Sequence, residues 1–273
     1  MRKSPTVLTH NHDTEPWVRF SLLLRRLSPI LAVICLLLLW AWISERELIS
    51  HILVPPPGDV YRAFVGALAD GVLAKHAFVT LQEMLYGLLL GVGIGLAVGY
   101  AIAKLPLLEY ILAPIIVGFQ STPIVAYAPL LVIWFGSGPA SKVVTTAVIV
   151  FFPTLVNTIV GIRGVSPKLR DLMRSLKAGR WRTFRHLEAP SALPVILAGL
   201  KTSTTLAVIG AVVGEFVSQG SGLGYLVTAA RNLYDTPLVI VAVLTMTTIS
   251  LCLYGLVALV EWRFLVWQRR SNI

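Results

Sequence analysis

RGVSPKLRDLMRSLKAGRWRTFRHLEAPSALP, residues 163–194, is the one long polar interruption in the second half of a chain that otherwise reads as membrane. Ser166 before Pro167 marks a helix start. A serine oxygen caps free amides there, and proline suits a first turn, where its missing N–H leaves no hydrogen bond unmade. Leu169, Leu172, Met173 and Leu176 follow on one helical face, with Lys168, Arg170, Asp171 and Arg174 turned elsewhere. Lys177, Ala178 and Gly179 interrupt this helix. A second short helix is expected beyond them, with Trp181, Phe184 and Leu187 on one side and Arg180, Arg182 and Arg185 on others, closed by Pro190 and Pro194. From periodicity alone this helical hairpin has two readings. It is a surface for another protein to grip, or a basic amphipathic segment lying in lipid headgroups.

The composition around it decides the class. The chain has 273 residues, 56% of them hydrophobic and only 13% charged, with a mean hydropathy of +0.79. Water-soluble domains carry about a quarter charged residues, so this chain belongs in a bilayer. Cys35 and Cys252 both lie inside apolar runs, where they read as small buried hydrophobes, and no disulfide framework is implied.

Six spans can be drawn, at 27–43, 80–103, 110–134, 144–162, 195–217 and 237–264, most of them near the roughly 20 residues that cross a hydrocarbon core. The expected fold is therefore an all-α integral membrane domain over 27–264, with the polar hairpin at 163–194 between the fourth and fifth helices. Residues 1–26 form a polar, basic N-terminal tail, and 265–273 a C-terminal one. With the N-terminus in the cytoplasm, 18 of the 23 Lys and Arg residues fall on the cytoplasmic side, which sets the orientation by the positive-inside rule. Both termini and the hairpin are then cytoplasmic. The formal net charge of +10 is explained by topology, which disfavours a nucleic-acid partner.

Along the chain, His10 and His12 have a metal-like spacing without a third ligand, and a tail is the simpler reading. The apolar stretch 27–43 lacks a cleavage site and is read as an anchor. Residues 44–78 fall outside the cell, where Pro55, Pro56, Pro57 and Gly58 make a turn and Val60, Phe64 and Leu68 share the face of a short interfacial helix. Gly87, Gly91, Gly95 and Gly99 recur every four residues, a smooth groove for a neighbouring backbone.

Gln120, Ser121, Thr122 and Pro123 interrupt the third span. A proline there frees a carbonyl that lipid cannot satisfy, so the break either borders a water-filled path or is a kink packed against neighbours. Asn157, after Pro153 in the fourth span, has the same two readings. Glu215 is the sole carboxylate of its apolar run; it faces a cavity, pairs, or lies at the outer boundary, which nearby Ser218 favours. The turn at 220–225, GSGLGY, lacks the lysine and hydroxyl of a P-loop and reads as a tight turn over the outer mouth.

The hairpin resembles the cytoplasmic "EAA" loop in permease subunits of bacterial ATP-binding cassette importers, whose pattern is Glu-Ala-Ala, three residues, Gly, nine residues, then Ile-x-Leu-Pro. Asp171, Leu172 and Met173 stand where Glu-Ala-Ala would be, Lys177 where the glycine would be, and Leu187, Ala189 and Pro190 where Ile, Leu and Pro would be. Either Gly179 takes over the bend or the hairpin angle differs from the family's. The stretches at 121–143, 151–167, 179–201 and 210–226 resemble the branch importing nitrate, sulfonates, taurine and pyrimidine precursors of thiamine.

The resemblance implies a permease with no ATPase site of its own and no bound cofactor. ATP and Mg would sit on two cytoplasmic ATPase subunits, which grip the hairpin at Leu169, Asp171, Leu172, Met173, Ser175, Leu176, Lys177, Ala178 and Gly179. A second copy of the chain, a homodimer, would enclose the path in the bacterial inner membrane, and an extracytoplasmic binding protein would deliver the solute. RTFRHLEAPSALP (182–194) and GAVVGEFVSQGSGLGYL (210–226) most resemble permeases of pyrimidine thiamine precursors, which implies such a solute, with sulfonate, taurine, nitrate and riboflavin as alternatives.

Two other classes stay open. A secondary transporter needs coupling charges near the midplane, and a membrane-embedded enzyme needs a reactive cluster. His51, His76 and His186 fall between the spans, and no span holds a pair of carboxylates.

Overall fold

A computed structural model describes residues 16–46, 49–218 and 220–265. His10 and His12, most of the expected N-terminal tail and residues 266–273 lie outside the described residues. The chain divides at residue 59 into two units. In the first, helix α1 (Pro16–Glu45) begins well before the expected span at 27, and its apolar part is the short stretch Leu31–Glu45. The proline-rich turn folds back onto this helix: Trp40 Nε1 donates to the Pro55 carbonyl at 3.1 Å and Ser44 Oγ to that of Val54 at 3.3 Å. Helix α2 (Pro57–Ala69) follows, with Phe64 and Leu68 exposed on its surface.

The second unit is built on α3 (Val72–Lys104), α6 (Pro139–Arg163) and α9 (Ala189–Val217), which pack along their lengths. Lipid tails are as apolar as leucine, so helices associate in a bilayer through close backbone approach and polar contacts. The four-residue glycine ladder of α3 provides that approach. A Cβ on Gly91 would meet the Ala147 carbonyl at 2.5 Å, and one on Gly99 the Leu155 carbonyl at 2.8 Å. Gly87 and Gly95 lie in the same way against Thr146 and Thr154.

Helix α9 meets the other side of α6 through glycines too, Gly210 against Thr146 and Gly214 against Lys142. The threonine hydroxyls of α6 bond back to their own helix, as from Thr154 to the Val150 carbonyl (2.9 Å) and from Thr158 to that of Thr154 (2.7 Å). Thr146, Thr154 and Thr158 thereby turn their methyls toward Gly87, Gly95 and Gly99 of α3. Met84, Val150, Ala207, Ala211 and Leu253 fill the apolar centre.

Between α3 and α6 the expected third span is broken. Helices α4 (Pro106–Ser121) and α5 (Ile124–Phe135) meet at 100°, and neither is long enough to cross a bilayer alone. The sequence explains the break. Pro123 drives Thr122 into extended backbone (φ −93°, ψ 129°), and the Ser121 and Thr122 hydroxyls cap the Val117 and Gly118 carbonyls.

Beyond α6 come α7 (Pro167–Ser175), α8 (Arg180–Thr183) and a π turn at Phe184–Glu188 that runs directly into α9. Pro190 and Pro194 do not close a separate helix, because the wide π turn precedes Pro190 and takes up the missing donor. The turn expected at 220–225 holds over Gly220 to Gly222, both glycines with positive φ, and gives way to helix α10 (Leu223–Asn232) at its second half; α11 (Thr236–Phe264) follows. Cys252 on α11, like Cys35 on α1, is a free thiol and exposed, where a buried position was expected.

Among the described residues, four helical stretches are long and apolar enough to cross a membrane, and five if the bent pair counts as one. The six-span reading also requires the shorter apolar part of α1.

Gly95→Leu forces a side chain into Thr154 and is expected to lower stability by about 1–3 kcal/mol. Gly93→Ala, where a Cβ meets nothing, is expected to change stability little; thermal unfolding of the detergent-solubilised chain compares the two.

Candidate functional site

The hairpin is anchored before it is exposed. Arg163, at the end of α6, makes a two-pronged pair with Glu109 of α4, both contacts at 2.6 Å, and reaches the Ile102 carbonyl of α3 at 3.3 Å. Glu188, at the base of α9, is held by Lys104 and by the Tyr100 hydroxyl, both of α3. Arg170 of α7 donates to the Ile162 carbonyl at 2.6 Å. Lys201 of α9 pairs with Glu261 of α11. The hairpin is thus tied by charge to the ends of the helices behind it.

Among its exposed charges it presents an apolar stripe. Leu169, Leu172 and Leu176 of α7 are 45%, 53% and 68% exposed, and Trp181 is 69% exposed while stacking on Phe184. Met173 and Ala178 are half-buried beneath them, and Asp171, Ser175 and Gly179 are exposed. Asp171 pairs with Arg174 at 3.3 Å, and its carbonyl accepts from Ser175 Oγ at 3.0 Å. Ser166 stands at the start of α7, but its side chain makes no capping bond.

The turn after α7 settles how the chain bends without a glycine at 177. Lys177 N donates to the Arg174 carbonyl and Ala178 N to that of Met173, both at 2.9 Å. This pair of bonds ends a helix on a left-handed residue, and Lys177 takes that conformation itself, with φ at 52°. Gly179 has an ordinary extended backbone (φ −67°, ψ 163°) and does not replace it.

At the α4–α5 break, Gln120, Thr122 and Pro123 border a cavity of about 560 Å³ together with Asn157 from α6. Phe119, Tyr127 and Phe152 form an aromatic wall, with Phe119 5.8 Å from Tyr127 and 6.4 Å from Phe152 between ring centres. Ser121 is not among the lining residues. Asn157 borders the cavity and also packs on Gly199 of α9.

Glu215 lies elsewhere and is only 1% exposed. Its carboxylate accepts from Thr80 Oγ1 at 2.6 Å and from the Gly224 amide. Glu83 of α3 lies beside it and pairs with Lys142 of α6 at 3.1 Å, both buried. Lys142 also donates to the Ser221 carbonyl at 2.6 Å, Leu223 N to Thr80 at 2.7 Å, and Gly222 N to His76 Nδ1 at 3.0 Å. His76 lies within α3, which starts earlier than the span drawn for it.

This cluster stands at the end of α6 away from the hairpin and clamps the glycine turn to three helices. Sequence reading passed over Glu83 and Lys142 because each sits near a span end, where a charge needs no partner. Two carboxylates from different helices around one ammonium are invisible to a search along single spans.

Residues 91–266 match the model of the family described as binding-protein-dependent transport system inner membrane component. The chain belongs to this family. The permease is 42% identical to the riboflavin transport system permease protein of Chloroflexus aurantiacus, over 87% of this chain and 90% of that one. It is 30% identical to the formylaminopyrimidine transport permease protein of Halalkalibacterium halodurans, over 90% and 97% of the two chains. It is also 30% identical to the aliphatic sulfonates transport permease protein of Bacillus subtilis, over 84% and 83%.

A crystal structure of an amino acid ABC transporter with histidines shares the fold, with a TM-score of 0.59 at 19% identity over 73% of the permease and 98% of that chain. The chain is therefore a multi-pass inner-membrane permease of an ATP-binding cassette importer, which works with an ATPase and a solute-binding protein.

Lys177→Gly removes the left-handed strain and is expected to raise stability by up to ~1 kcal/mol in thermal unfolding, whereas Gly179→Ala leaves it nearly unchanged. Lys142→Met strands two buried carboxylates and is expected to cost about 3–5 kcal/mol. Adding Glu83→Gln to that variant restores part of the loss, which a double-mutant cycle measures.

Proposed function

We propose that two copies of this permease enclose a path for a flat heteroaromatic solute, and that two cytoplasmic ATPase subunits drive it by each gripping one hairpin. The observation that carries the reading is the bare leucine face of α7, Leu169, Leu172 and Leu176, on a hairpin tied by ion pairs to the ends of the membrane helices. An exposed apolar face on a rigid mount is what a partner's groove needs, and the mount passes its motion on. Both termini and the hairpin lie in the cytoplasm, as the distribution of Lys and Arg supports.

ATP and Mg are bound by the ATPases. Their closure draws the hairpins together and swings the spans from inward-open to outward-open, and the binding protein then releases its solute from outside. The heteroaromatic class is supported by the wall of Phe119, Tyr127 and Phe152 beside the amides of Gln120 and Asn157, which suits stacking on a ring and hydrogen bonding at its edge. A flavin or a pyrimidine has that chemistry, and relatives named for riboflavin and formylaminopyrimidine transport agree with it.

Leu172→Asp combined with Asp171→Arg is expected to abolish ATPase copurification and to lower uptake at least tenfold, by analogy with loss of a central apolar anchor. Copurification and uptake at wild-type levels would remove the hairpin as the coupling surface. Mass spectrometry of the small molecule carried by the cognate binding protein checks the solute, and a sulfonate or nitrate there would overturn the heteroaromatic assignment.

A further inference from the structure

Behind the leucine face, α7 turns a second face inward. Arg170 and Arg174, one helical turn apart, border a cavity of about 620 Å³ with Lys104 and Arg180. Glu188 is the only acid lining it, and Lys104 and Tyr100 already hold that carboxylate. Arg180 forms no ion pair among the described residues. Arg174 has only its exposed contact with Asp171, and the Nε of Arg170 is buried without a hydrogen-bond partner. Three arginines therefore border a space with no anion assigned to it, Arg174 from its solvent-exposed side and Arg170 with one nitrogen already given to the Ile162 carbonyl.

A second cavity adjoins the first and shares Tyr100 and Arg180 with it. It measures about 730 Å³ and is walled almost entirely by apolar side chains, among them Leu96 of α3 and Leu193 and Ile196 of α9. Gly93 forms part of its floor, and a Cβ there would meet nothing within 4 Å. A cationic chamber at the end of the spans thus opens onto an apolar groove running back along them.

We propose that this double cavity binds an anionic phospholipid, with its phosphate among Arg170, Arg174 and Arg180 and an acyl chain in the groove between α3 and α9. Charge and shape both select the ligand. A free anion would fill only the cationic chamber and a zwitterionic lipid would waste its charge excess, whereas an anionic phospholipid matches both halves. The site is separate from the cavity at the α4–α5 break, and α7 would then be held between two partners, the ATPase on its leucines and the lipid on its arginines. The lipid site requires membrane insertion but does not require the ATPase assignment.

The test uses the permease purified with its partner subunits, stripped of lipid and titrated with phosphatidylglycerol, with phosphatidylcholine, and with inorganic phosphate. Native mass spectrometry reads bound ligand, and ATPase copurification is followed in the same samples. Wild-type protein is expected to retain phosphatidylglycerol over phosphatidylcholine. Arg174→Gln with Arg180→Gln weakens that retention about thirtyfold, the effect of two cations at a membrane surface.

Gly93→Leu fills the groove far from the leucine face. It is expected to weaken phosphatidylglycerol while leaving the ATPase attached, so a failure of the lipid site is distinguished from a failure of the coupling surface. Equal retention of the two lipids, unchanged retention in either variant, or phosphate binding as tight as phosphatidylglycerol would overturn the proposal. So would a crosslink from Leu96→Cys to a second permease copy or to the ATPase.

Discussion

The contact on which the structure depends is the clasp of α6 between two glycine-bearing helices. Without a hydrophobic drive between helices in lipid, their affinity comes from atoms in contact, and a methyl from threonine set against a bare Cα gives the closest approach a helix pair can make. Gly87, Gly95 and Gly99 supply it against Thr146, Thr154 and Thr158, and Gly91, Gly210 and Gly214 bring bare backbone against the backbone of Ala147, Thr146 and Lys142. Three helices so joined move as one piece. The bent pair α4–α5 and the helix α11, much of it exposed, are arranged around that piece.

Charge marks both ends of the clasp and does different work at each. At the hairpin end Arg163–Glu109 is partly open to solvent, while Lys104 reaches a buried Glu188, and both pairs link separate helices to a common loop. The exposed pair adds little stability but fixes geometry. At the other end Glu83, Lys142 and Glu215 are sealed from water, and there removing one member is far more damaging than never having built the group. A rigid three-helix body with a pinned loop at one end and a locked turn at the other is a lever, and the transport reading makes use of one.

Much of this was legible in the sequence, and the illegible part has a common cause. Local signals held where local physics governs. The four-residue glycine spacing marks a packing face, the polar stretch at 163–194 marks the loop, and Thr122–Pro123 marks a break. What depends on distant partners was hidden. Proline 123 signals a break but not a 100° bend, which α6 and α9 set by offering a wall for α5. Glycine 179 looked like the bend because glycine adopts positive φ readily. Yet the bonds that close α7 fix the left-handed position relative to the helix end, and that position holds Lys177. Pro190 looked like a terminator, and only the π turn before it lets the helix continue. The pairing of Glu83 with Lys142 joins separate spans, and nothing in one sequence links them.

The sealed trio also constrains how the protein is made. Glu83 leaves the ribosome long before Lys142, and Lys142 long before Glu215, because synthesis runs from the N-terminus. An isolated charge is poorly tolerated in hydrocarbon, so α3 cannot be released alone with its carboxylate ionised. Its partner ammonium arrives on α6, and the second carboxylate only with α9. The charge on α3 therefore gains its partner only once α6 has been translated, and the full cluster of Glu83, Lys142 and Glu215 forms only when α9 has followed.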